Sequence, residues 1–121
     1  MMDFGSNRRE TTMKEKETTG AKNQDLYIGL VRLHVLHHAA EEPIFGLGIM
    51  QELGRHGYRL GPGTIYPLLH GMERRGWLRS EQQLVNGHNR KVYVATAAGR
   101  KALTQARRQV RELFEEMCEG E

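Results

Sequence analysis

The chain has 121 residues, enough for one domain with its own core and too few for two. Hydrophobic residues make up 38% and charged residues 27%, a folded-domain balance with no apolar run near the ~20 residues of a membrane helix. The net charge of +3 is unevenly spread: residues 55–96 carry seven basic side chains against two acidic ones, whereas 23–54 carry one against four. A basic excess confined to one segment is the footprint of a polyanionic partner, although an arginine-rich solvated surface gives the same count.

Residues 1–22 read as a flexible tail: the stretch from Arg8 to Gly20 is mostly Thr, Lys and Glu and buries too little to offset its ordering entropy. With no apolar stretch behind their charges, no secretory signal is expected. Residues 24–39 form the first predicted helix, from Leu26, Leu30, Leu33, Val35 and Leu36, and it ends before Glu41-Glu42-Pro43. A second helix is predicted over 46–55 from Ile49, Met50 and Leu53, with Gly54 and Gly57 marking its end. Pro62 suits the first turn of a third helix, where Ile65, Leu68, Leu69 and Met72 follow at i, i+3, i+4 and i+7. Pro67 lies in the first turn if that helix starts near Thr64, and removes one backbone bond if it starts at Pro62. Gly76 is the natural stop.

The period then changes. Trp77 to Val85 reads as a strand, Asn86-Gly87 as a hairpin turn, and Arg90 to Thr96 as the returning strand. On that second strand Val92 and Val94 are expected on one face, Lys91 and Tyr93 on the other. Thr96 is a good N-cap for a last helix, in which Leu103, Ala106, Val110, Leu113 and Met117 recur at 3, 4, 3, 4, with Phe114 widening the stripe. Such a stripe is either a dimer seam, which is preferred, or a helix folded back on its own core. The single cysteine, Cys118, excludes an internal disulfide framework, fits a reducing, cytoplasmic location, and sits among acidic neighbours that do not activate a thiol. Three helices, a hairpin and a long helix give a mainly α fold with a small β-hairpin: a winged helix-turn-helix over 23–96 and a dimerisation helix over 97–121.

The run Tyr58-Arg59-Leu60-Gly61-Pro62-Gly63-Thr64-Ile65-Tyr66-Pro67-Leu68-Leu69-His70, followed by Glu73-Arg74-Arg75-Gly76-Trp77-Leu78, resembles the third-helix signature of PadR-type transcriptional regulators. Asn86 to Tyr93 is similar to that family's basic wing, and Thr96-Ala97-Ala98-Gly99 to its lead into the last helix. The resemblance covers about residues 24–117. It departs from the family pattern at Gly61, where a serine cap is usual, at His88-Asn89, where Arg-Pro is usual, and at Phe45-Gly46-Leu47-Gly48-Ile49. It implies a homodimeric repressor whose third helix enters a major groove of double-stranded DNA.

On a helix with its apolar side centred on Ile65, the opposite side holds Gly63, Pro67, His70 and Arg74, with Tyr66 on a flank. These residues, with Thr64 in the same run and His88, Arg90 and Lys91 of the wing, are the expected DNA contacts. The alternatives are the wet side of an amphipathic helix and charge protecting an edge strand. His34 and His38 stand i, i+4 and offer a metal-binding pair, completed by Glu41 or Glu42 only if the helix end curls back. No catalytic constellation is present: there is no Gly-x-Ser-x-Gly, Walker loop or His-Glu-x-x-His. The chain therefore reads as a DNA-binding regulator and not an enzyme. Its partners are double-stranded DNA, a second copy of itself and an optional small-molecule effector, with no cofactor and no membrane. A protein-interaction winged helix and a metal-responsive sensor built on His34 and His38 are the alternatives.

Overall fold

The computed structural model describes residues 24–119, so the expected tail over 1–22 lies outside the described residues. In chain order the elements are α1 (Gln24–Glu41), α2 (Gly46–Arg55), α3 (Pro62–Arg74), β1 (Leu78–Val85), β2 (His88–Ala95) and α4 (Ala97–Glu119). This is the winged-helix arrangement with a long terminal helix, as the sequence predicts.

Glycine ends two of the helices in the same way. After α2, Gly57 takes φ +90°; its N–H donates to Gly54 O at 3.1 Å, and the Tyr58 N–H donates to Leu53 O at 3.0 Å. After α3, Gly76 takes φ +82°, with matching bonds from Gly76 to Glu73 O and from Trp77 to Met72 O. Both are Schellman caps, which need a residue that enters the left-handed region without steric cost. Gly54 lies inside α2 and marks no end. Helix α3 starts at Pro62, so Pro67 lies within it and the Gly63 carbonyl has no i+4 N–H to accept from.

The hairpin pairs β1 with β2 antiparallel, Leu78 opposite Ala95 through Val85 opposite His88, around a turn with positive φ at Asn86 and Gly87. A third partner escapes the sequence reading. Ile44, just past Pro43, exchanges backbone hydrogen bonds with Tyr93 (3.0 and 2.7 Å), giving β2 a neighbour on its other edge. The expected alternation on β2 is therefore only half of the picture: Val92 and Tyr93 are both buried, and the Tyr93 face joins the core.

That core gathers Val31, Val35, Leu36 and Ala39 of α1, Ile49 and Leu53 of α2, Ile65, Leu68, Leu69 and Met72 of α3, and Leu78, Tyr93 and Ala95 of the hairpin. Full burial of each large aliphatic side chain is worth about 1.5–3 kcal/mol relative to exposure. The inward face of α1 differs from the expected one. Leu26 and Leu30 are exposed, while Val31, Val35 and Ala39 point inward, because the apolar residues of this helix are spread round more than one side. Leu103 of α4 also belongs to this core, which corrects its expected place in a dimer seam. The first turns of α4 lie close to the chain, with Gly99 against the Trp77 carbonyl and Leu36, and no larger residue fits there.

Candidate nucleic-acid interface

Helix α3 buries Ile65, Leu68, Leu69 and Met72 and turns Gly63, Pro67, His70 and Arg74 to solvent, the side expected from 100° per residue. Among the described residues nothing stands within 4 Å of where a Gly63 β-carbon would be, so no packing there requires a glycine. A bare backbone, a proline ring and a free Gly63 carbonyl leave this surface low enough for close approach to a flat partner. Arg74 offers a planar donor fork suited to phosphate or a guanine edge, and it takes part in no ion pair among the described residues. Thr64 is half-buried on the same first turns. The Tyr66 ring lies over Gly46 at the start of α2, and a β-carbon at Gly46 would overlap it. Tyr66 thus locks α2 to α3 while remaining partly exposed. Gly46 is the residue that this packing requires, and it was not singled out by sequence.

In the wing, His88 and Lys91 are exposed, and the Lys91 ammonium lies 5.4 Å from the Tyr93 ring centroid. Arg90 sits away from the turn, opposite Gln83, and its guanidinium stacks 4.3 Å above the Phe45 ring. This corrects the picture of paired cations at a hairpin tip: the cation–π contact draws Arg90 back toward α2, leaving Lys91 as the more outward charge. Of the other central cations, Arg55 pairs with Glu52 and Arg79 with Glu81, each at 2.7 Å, and Arg75 lies over half-buried Trp77. Those three contribute less to an external field than the bare count suggests.

The stripe on α4 divides. Leu103 is 9% exposed within its own core and Ala106 is half-buried, whereas Val110, Leu113, Phe114 and Met117 stand 42%, 55%, 64% and 66% exposed. Every residue from Arg107 to Glu119 is exposed. This leaves a contiguous apolar row exposed along the second half of α4.

His34 and His38 come together on α1, and His56, the residue capping α2, joins them: one nitrogen from each lies within 4.8 Å of the other two. Burial, followed by the neighbouring His56, His38 and His37, holds the His34 pKa below its usual value, against a weaker raising influence from Glu52. Neither Glu41 nor Glu42 completes this trio. Glu41 reaches His37 instead, at 3.5 Å. His56 escaped the sequence reading because no local spacing links it to α1.

No helix among the described residues is long and apolar enough to cross a membrane. Residues 35–105 match the sequence profile of the Transcriptional regulator PadR-like family. The chain is 55% identical over 91 residues to Transcriptional regulator Rv3488 of Mycobacterium tuberculosis, spanning 75% of this chain and 85% of the relative. Among solved structures it resembles a PadR family transcriptional regulator from Eggerthella lenta, with TM-score 0.65, 28% identity, and coverage of 89% of this chain and 92% of that one. A Streptococcus transcriptional regulator gives TM-score 0.70 at 26% identity, covering 76% of this chain and 92% of that one. These proteins are regulators rather than enzymes. With its wing, its glycine-capped helices and its long α4, the chain belongs to the Transcriptional regulator PadR-like family.

Proposed function

We propose that the protein is a cytoplasmic, homodimeric DNA-binding repressor that occupies a two-fold operator. The observation that carries this reading is the outward side of α3, where Gly63, Pro67, His70 and Arg74 form a low, exposed surface that bears the Arg74 charge. Family membership supports it. Each α3 enters a major groove; Arg74 and His70 meet base edges or phosphates, Thr64 and Tyr66 donate hydrogen bonds from the flank, and His88, Arg90 and Lys91 follow the adjacent backbone. The exposed row Val110, Leu113, Phe114 and Met117 packs against a second copy, with Ala106 at its edge. The angle of that contact fixes the distance between the two α3 helices. A small-molecule effector bound near this contact would act by changing that distance.

Genome-wide mapping of bound DNA, followed by titration of the strongest site against scrambled DNA of the same length, tests the reading. A discrete set of bound sites with approximate two-fold symmetry is expected. Equal affinity for scrambled sequence would contradict a regulator that reads its operator.

A further inference from the structure

We propose that His34, His38 and His56 form a binding site for a divalent transition-metal ion of the zinc type, with the fourth position left to water. The three imidazoles come from two segments distant in sequence and converge with ligand nitrogens within 4.8 Å of one another. Around tetrahedral zinc with bonds of 2.0–2.1 Å, ligand atoms stand about 3.3 Å apart, so side-chain rotation alone closes the difference. Glu52 stands outside this set of ligand atoms and acts as an orienting neighbour: its Oε2 is 3.4 Å from His56 Nε2 and 3.8 Å from His38 Nε2. Its other oxygen is held by Arg55 at 2.7 Å, which aims the carboxylate in the manner of an outer-shell partner.

Three imidazole nitrogens are a donor set that selects zinc and its neighbours over magnesium or calcium, which prefer oxygen. Burial and the neighbouring imidazoles lower the His34 pKa, a shift toward the neutral form in which an imidazole binds a metal. Tyr58 closes one side, its ring edge-on to His34 at 5.4 Å. A cleft of about 170 Å³ between the end of α1 and α2 is lined by His38 of the cluster and by its neighbour Glu52. Bound there, the ion ties α1 to the end of α2, the helix that Tyr66 locks to α3. Any effect on DNA affinity rests on the proposed role of α3; metal uptake does not.

The test uses the full, untagged chain stripped of metal with a chelator. Zinc is titrated calorimetrically, and cobalt(II) serves as a spectroscopic probe. One ion per chain is expected, with cobalt d–d absorption of tetrahedral intensity and a rise in melting temperature on adding zinc. His56→Ala changes an exposed residue outside the helix core, and His34→Gln keeps a polar group of similar size. Each should lower affinity by at least about 10–100-fold and abolish the thermal shift, whereas His37→Ala should leave both unchanged. A chain that takes up no zinc overturns the proposal. So does uptake that survives His56→Ala, or that is lost in His37→Ala, which would place the ion on His37, His38 and Glu41.

Discussion

Gly63 is the residue at which folding and the proposed DNA contact make opposite demands. Glycine is a poor helix former, and none of the described residues would obstruct a β-carbon there. Gly63→Ala should therefore keep or raise stability, by up to about 1 kcal/mol in denaturant melts, while weakening operator binding several-fold through loss of close approach. A variant that binds DNA as tightly as the wild type would remove Gly63 from the interface. Arg74 and Lys91 make a complementary prediction. Each alanine replacement should lower the slope of log affinity against log salt by about 0.9, because each removes one phosphate contact and its released counterion. Arg90→Ala should alter the slope less and stability more, since its guanidinium is stacked on Phe45. Salt titrations of the three variants under one set of conditions check the ranking.

At the scale of elements, Thr96 joins three parts of the fold. Its hydroxyl accepts from the Gly99 N–H at 3.0 Å and donates to the Gly76 carbonyl, while its own N–H donates to Trp77 O. Thr96→Ala should cost about 1–2 kcal/mol of unfolding free energy, and Thr96→Ser much less. Gly99→Ala should destabilise the fold, although alanine is the better helix former, because its methyl would meet the Trp77 carbonyl. The start and stop of these elements were legible in sequence: Pro62, Gly57, Gly76, Asn86-Gly87 and Thr96 act through local backbone chemistry. Contacts between distant segments were not. No local pattern announces that Ile44 pairs with Tyr93, that His56 meets His34, or that Phe45 receives Arg90. Helix α1 misled in another way, since its apolar residues cover more than one side and Leu26 and Leu30 could as well have faced inward. The α3 side was legible because a single helix with a clean apolar stripe fixes its own opposite face.

For the whole molecule, the proposed dimer makes α4 the element that brings two recognition surfaces together. Its first turns belong to the core through Leu103, and its second half carries the exposed apolar row. Because Leu113 is exposed within one chain, Leu113→Glu should leave the fold intact while placing a charge in the proposed dimer contact, an unfavourable burial unless it is paired. Sedimentation should then show monomers. Two half-sites read by a dimer lie roughly 34–36 Å apart, and tethering the second α3 raises avidity by a factor that can reach ~10²–10⁴. The most direct test of a two-fold DNA regulator is therefore a titration of the mapped operator and scrambled DNA, at fixed salt, with wild type and Leu113→Glu. The account predicts a monomeric variant that has lost discrimination between the two DNAs although every α3 and wing residue is unchanged. A proven monomer that still prefers the operator as strongly as the wild type would contradict it.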